Sequence, residues 1–244
     1  MKDGRYRKAA IAAIALVMTL IAFTAAACSF DVDIAEGREM LTSAIENSRK
    51  ATEWYVKYKT QIDASTSEQT RLYVVNEGTE EFAAHYDFTV DRTVSTSTTN
   101  IYYGKSRRSG VSDKEATDGD YKTVMAVQGE DGYTFSEITS DEFFADDRIA
   151  PYTLDAICDY LDGLTEDELQ ISSITTNGGW VTYYYVSAVV KEGNPLNGCT
   201  GIELRVTNEK LSTIYFTDTQ GRAVQIDIAY GGPNFTVPEW TGEN

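Results

Sequence analysis

The spacing of apolar residues along the chain changes at about residue 70. Between residues 35 and 59, apolar side chains recur at steps of three and four, which predicts one helix with a single apolar stripe. The stripe consists of Leu41, Ala44, Ile45, Ala51, Tyr55 and Tyr58. After residue 70, apolar and polar residues alternate in successive short runs, which is the pattern of strands with one buried face.

Two of these runs alternate most regularly. In the run from 80 to 94, one face carries Phe82, Ala84, Tyr86, Phe88 and Val90. The opposite face carries Glu81, His85, Asp87 and Thr89. In the last run, the apolar face carries Val224, Ile226, Ile228 and Tyr230. Short polar connections separate the later runs, so an antiparallel meander is expected.

A helical segment interrupts the strands. The stretch "APYTLDAICDYLDG" places Leu154, Ile157, Cys158 and Leu161 on one face and ends at Gly163. The following "TEDE", from Thr165 to Glu168, has the spacing of a capping box and predicts a second short helix. Helices outside an antiparallel meander define an α+β class.

The first residues read as an export signal. Four basic residues precede an apolar segment from about 9 to 23, and three alanines then lead to Cys28. The pattern favours processing and lipid attachment at Cys28. Plain secretion after the alanines is one alternative, and an uncleaved membrane helix of about 19 residues is another. We divide the chain into a lipoprotein signal peptide (1–27), a tether (28–34), one domain (35–240) and a tail (241–244).

The net charge and the cysteines limit the expected binding partners and covalent links. The chain has a net charge of −17, which repels nucleic acid phosphates, so DNA and RNA are not expected partners. In an exported protein, Cys158 and Cys199 are candidates for one disulfide, and two separate buried thiols are the alternative.

The sequence carries no recognisable catalytic motif. Its single histidine, His85, lies on the polar face of a predicted strand, where a surface role is expected. No G-x-S-x-G elbow, metal-ligating Cys/His cluster or phosphate-binding glycine loop is present. The acidic stretch from 113 to 120 predicts a solvated loop, with calcium binding as the alternative. We therefore expect no enzyme activity, no cofactor and no metal.

Several features together resemble the lipoprotein-carrier group, which includes the LolA-like and mycobacterial LppX-like proteins. They are the helix at 35–59, the helical insert near 151–170, the closing "DTQGRAVQIDIAY" and the lipobox-like "AAAC" ending at Cys28. Ala25 departs from the lipobox, which usually has leucine there. The resemblance implies a curved antiparallel half-barrel whose concave side is covered by the helices. It also implies a diacylglycerol on Cys28 and an acyl chain or other apolar ligand in the hollow.

Such a hollow requires an apolar and aromatic sheet face. The candidate lining residues are Phe82, Tyr86, Phe88, Tyr183, Tyr185, Ile226 and Ile228. The alternative is that these residues form an ordinary core under the helices. The first function hypothesis is therefore an extracytoplasmic lipoprotein, held at the cell membrane by its lipid, that binds an apolar or lipid-like ligand. The second is an envelope lipoprotein without a small ligand, which meets a protein partner through Trp180, Tyr184 and Trp240.

Overall fold

The computed structural model describes residues 29–164, 167–178, 180–232 and 234–241. These residues form three α-helices and one sheet of twelve antiparallel strands. The helices are α1 (Ile34–Arg49), α2 (Ser140–Phe144) and α3 (Leu154–Asp162). The strands are β1 (Ser29–Asp31), β2 (Trp54–Gln61), β3 (Thr66–Val75), β4 (Ala83–Arg92), β5 (Ser95–Arg107), β6 (Tyr121–Gly129), β7 (Gly132–Ser136), β8 (Leu169–Asn177), β9 (Val181–Val189), β10 (Thr200–Thr207), β11 (Lys210–Thr217) and β12 (Ala223–Tyr230).

The strand order contains two meanders that meet in the middle of the sheet. The order is β1-β8-β9-β10-β11-β12-β2-β3-β4-β5-β6-β7, so β12 pairs with β2 and joins the two halves. The edge strands β1 and β7 do not pair with each other within the described ranges, and the curved sheet therefore stays open. This architecture confirms the predicted α+β half-barrel. We call the face that packs against the helices the inner face, and the other the outer face.

Helix α1 is shorter than predicted. The Asp33 side chain caps it by accepting from Ala35 N–H at 2.9 Å, and it ends at Arg49. Residues 54–59, which we assigned to this helix, belong to β2, where buried Trp54 and Val56 alternate with more exposed residues. Aromatic and β-branched residues favour a strand here. The prediction was wrong because the three-residue step from Tyr55 to Tyr58 has the spacing of an apolar helical stripe.

The predicted tether is also wrong over part of its length. Ser29 pairs with Asn177 and Asp31 with Thr175, so β1 extends the sheet beside β8. Val32 N–H continues the contact by donating to Ile174 O at 3.0 Å. Backbone pairing over such a sequence separation leaves no trace in the local side-chain pattern. The signal peptide and Cys28 lie outside the described residues.

The helical insert comprises α2, a 3₁₀ turn at Ala150–Tyr152, and α3. Thr153 caps α3 by accepting from Ala156 N–H at 3.1 Å. Thr165 and Glu166 lie outside the described residues, and Leu169 already begins β8, so the helical part does not reach residue 170. None of the helices in the described ranges combines the length and apolar character that a transmembrane span needs.

A buried hydroxyl joins α1 to the sheet. Ser48 is fully buried, and its Oγ accepts from Leu211 N–H at 3.0 Å and from the Tyr230 hydroxyl at 2.8 Å. The same Oγ–H donates to Ala44 O at 2.7 Å. One side chain therefore satisfies groups from a helix and from two strands, β11 and β12.

We expect Ser48→Ala to lower the free energy of unfolding by about 2 kcal/mol, because it leaves the buried Leu211 N–H without an acceptor. Ser43→Ala is the matched control, since Ser43 is exposed on the same helix. Urea unfolding followed by circular dichroism measures both. Equal midpoints for the two variants would show that the buried hydroxyl does not contribute to stability.

Candidate functional site

The strand register aligns one row of side chains across the inner face. Directly paired residues of neighbouring antiparallel strands point to the same side of the sheet. The row contains Tyr184, Leu204, Ile214, Ile226, Tyr58, Thr70 and Phe88. Its members are apolar or aromatic apart from Thr70, so the inner face presents a continuous apolar band across seven strands.

Five of the predicted lining residues lie on this inner side. Phe88 and Ile226 belong to the row itself, and Tyr86 and Ile228 lie in the adjacent row through Leu72 and Val56. Phe82, just before β4, packs against the Tyr103 ring at 5.1 Å between centroids. The register therefore brings these side chains together as one surface.

The other two predicted lining residues lie on the opposite side. Tyr184 is the fully buried tyrosine of β9, and its neighbours Tyr183 and Tyr185 point to the outer face. Tyr185 is 38% exposed, and Tyr183 lies 4.8 Å from the Arg205 guanidinium. The error arises because "TYYYV" has aromatic rings on both faces, so the pattern does not reveal which parity is buried.

The helical insert fills most of the hollow. Phe143, Ile149 and Ile157 are almost completely buried against the sheet. The Tyr152 ring packs edge-on against Tyr58 at 5.0 Å and lies 6.3 Å from Tyr86. In this form, the chain's own side chains therefore occupy the space that a ligand would take.

One part of the apolar band remains open beside the insert. A cleft of about 250 Å³ is lined by Tyr58, Thr60, Glu68, Thr70, Phe88, Tyr152, Phe216, Asp218 and Val224. We call it the rim cleft. Four aromatic rings form its apolar wall, and Glu68 and Asp218 supply its carboxylates. Apolar walls with a few polar groups are typical of sites for small apolar or amphipathic molecules.

The same inner-face row contains an unsatisfied hydroxyl. Tyr184 Oη is buried and has no hydrogen-bond partner among the described residues. Burial raises the pKa of Tyr184 to about 12, so the group stays neutral. A buried hydroxyl without a partner costs about 1–3 kcal/mol, so the Tyr184 hydroxyl lowers the stability of the folded domain.

The two cysteines are not bonded to each other. Both thiols are free and buried, which corrects the predicted disulfide and fits the alternative of two separate thiols. Cys158 Sγ lies 4.0 Å from Ile45 O between α3 and α1, whereas Cys199 Sγ lies 3.6 Å from Pro195 O. Burial raises the pKa of Cys158 to about 12, so its thiol is a poor nucleophile.

The outer face carries a column of stacked rings. Tyr55, Tyr73, His85 and Tyr102 are paired across β2 to β5, with ring centroids 4.5, 5.6 and 4.2 Å apart. His85 lies on this face as expected, but it is half-buried, and its Nε2 lies 3.0 Å from Asn100 Oδ1. Burial lowers the pKa of His85, which keeps the ring neutral.

The acidic loop before β6 is held by internal contacts. The Asp120 carboxylate accepts from Thr117 N–H at 3.0 Å and pairs with Arg108 at 2.9 Å, and Asp113 pairs with Arg107. Hydrogen bonds from Thr117 lower the pKa of Asp120. Among the residues that the structure describes, no group of three or more potential metal ligands is assembled.

The aromatic surface proposed for a protein partner does not form. Trp180 is 72% exposed at the β8–β9 turn, but Tyr184 is buried. Trp240 lies beside β5, where its backbone N–H donates to Arg107 O at 3.0 Å and its ring contacts Lys122. β5 is seven strands along the sheet from β9, so the three rings do not share one surface.

The chain was compared with known families, curated proteins and solved structures. No model of a known family matches the sequence, and no curated protein matches it. The crystal structure of LprF from Mycobacterium bovis is similar, with 14% sequence identity and a TM-score of 0.47. The match covers 85% of this chain and 98% of that one.

We expect Tyr184→Phe to raise the free energy of unfolding by about 1 kcal/mol, because it removes an unsatisfied buried hydroxyl while keeping the ring. Tyr230→Phe is the matched control and should have the opposite effect, since the Tyr230 hydroxyl lies 2.8 Å from both Ser48 Oγ and Leu211 O and is hydrogen-bonded. Thermal unfolding measures both. A loss of stability in Tyr184→Phe would mean that the hydroxyl is satisfied in the folded protein.

Proposed function

We propose that this protein is an extracytoplasmic lipoprotein, held at the cell membrane by lipid on Cys28, that binds an apolar or lipid-like ligand on the inner face of its sheet. The observation that carries the proposal is the inner-face row, which continues from the filled hollow into the open rim cleft through Tyr58 and Phe88. An apolar surface that begins under the insert and ends at solvent offers a ligand a continuous path inward.

The volume of the rim cleft limits what binds without rearrangement. At about 250 Å³ it is slightly smaller than the roughly 300–1,000 Å³ of most small-molecule sites. A longer acyl chain therefore has to displace Tyr152 and the adjoining insert. Tyr152 packs by ring contacts with Tyr58 and Tyr86, and exchanging apolar contacts with the protein for apolar contacts with a ligand costs little.

The proposed location follows from the amino-terminal signal. A basic start, an apolar middle and three alanines before Cys28 fit processing and lipid attachment at that cysteine. Stable anchoring takes more than one lipid chain, which a diacylglycerol supplies. In this proposal the protein binds and does not catalyse, and its partners are the membrane and the ligand.

The alternative is an envelope lipoprotein that binds no small ligand and acts through a protein partner. The filled hollow favours this function, because Phe143, Ile149 and Ile157 already cover the inner face. A ligand-binding measurement therefore separates the two functions.

We expect the chain to bind 11-(dansylamino)undecanoic acid, an amphipathic fluorescent fatty-acid probe, with a blue shift and a rise in emission. Phe88→Glu should weaken binding at least about tenfold, because it places a carboxylate in the path of the alkyl chain. Tyr185→Ala is the matched control: it removes an aromatic ring from the outer face and should leave the affinity unchanged.

Two results would contradict ligand binding on the inner face. If the probe does not bind the folded wild-type protein, the scaffold function is favoured. If Tyr185→Ala weakens binding and Phe88→Glu does not, the ligand occupies the outer face. Circular dichroism of each variant establishes that it is folded.

A further inference from the structure

The amino-terminal strand fixes where the membrane anchor leaves the domain. Ser29 pairs with Asn177 at the end of β8, and Cys28 directly precedes Ser29. Paired Cα atoms lie about 5 Å apart, and successive Cα atoms lie about 3.8 Å apart. The Cα atom of Ser29 therefore lies about 5 Å from the Asn177 Cα, and a lipid on Cys28 would join the chain one residue before this pair.

The β8–β9 turn beside this point presents an exposed tryptophan. Trp180 N–H donates to Asn177 O at 3.2 Å, which closes a turn whose ends lie less than about 7 Å apart. Trp180 O in turn accepts from Asn208 N–H at 3.1 Å, so the neighbouring β10–β11 turn supports its backbone. The Cα of Trp180 consequently lies within about 12 Å of the Cα of Ser29.

Trp180 differs from the two other tryptophans of the chain. It is 72% exposed, which is the highest value among the aromatic side chains in the described ranges. Trp54 is 2% exposed and donates its indole N–H to Glu77 at 2.6 Å, and the Trp240 indole N–H donates to Asp120 O at 3.4 Å. An amphipathic indole held at the surface, next to an anchor, has the chemistry of a membrane-interface residue.

We infer that Trp180, directly before β9, is a membrane-contact residue that enters the interfacial layer of the bilayer beside the lipid on Cys28. The inference rests on the proposed lipid attachment and adds an orientation to it. β1 holds this end of the sheet at the membrane, and the indole ring provides a second contact that restricts rotation about the anchor. The partner that the exposed ring contacts is the lipid surface.

The charges around the turn determine which lipids suit it. A groove of about 530 Å³ beside Trp180 is lined by Glu36, Glu39 and Glu209, together with Met40. Three carboxylates repel anionic headgroups, whereas zwitterionic phosphatidylcholine imposes no such penalty. Phosphatidylcholine vesicles are therefore the suitable probe.

The test uses the full-length lipidated protein, reconstituted into phosphatidylcholine vesicles whose acyl chains carry bromine near the glycerol. Bromine quenches only indoles that reach the bilayer. We expect quenching of wild-type emission, loss of that quenching in Trp180→Phe, and its retention in the matched control Trp240→Phe.

Flotation on a density gradient separates the two claims. Protein that floats with the vesicles but shows no quenching beyond that of Trp180→Phe retains the anchor and overturns the contact site; the exposed ring would then serve a protein partner. Protein that does not float overturns the anchor and the contact site together. Trp180 is exposed, so Trp180→Phe should unfold at the same temperature as the wild type, which verifies that lost quenching is not lost folding.

Discussion

An open antiparallel sheet exposes an apolar inner face that must be covered, and this requirement governs the rest of the structure. The paired strands place rows of aliphatic and aromatic residues on one side, and water contact with them is unfavourable by about 25 cal/mol for each Å². Helix α1 covers one half through Leu41, Ala44 and Ile45, and the insert covers the other. Ser48 fixes α1 in position through polar contacts that a purely apolar interface lacks.

The need to cover the apolar inner face also determines how a ligand could bind there. Any apolar molecule that enters the hollow competes with side chains of the insert, such as Phe143 and Tyr152, for one surface. Affinity is therefore the difference between two sets of apolar contacts. In the proposed function that competition begins at the rim cleft, because the sheet face is already partly uncovered there.

The sequence predicts the architecture better than it predicts the site. Regular alternation in β4 and β12 identifies the inner face of each strand, because only one parity carries large apolar residues. It fails in β9, where three consecutive tyrosines make both faces aromatic, and in β2, where a three-residue aromatic step resembles a helix. The pairing of β1 with β8 and the filling of the hollow by Phe143 depend on contacts between distant segments, which no local pattern encodes.

Native mass spectrometry of the full-length protein tests the central claim of ligand binding most directly. The protein is extracted in mild detergent from an exporting bacterium and activated stepwise in the gas phase. We predict a covalent diacylglycerol increment on Cys28, and a second, noncovalent lipid mass that is lost on activation. A folded protein that carries no noncovalent mass at any activation energy would contradict ligand binding on the inner face.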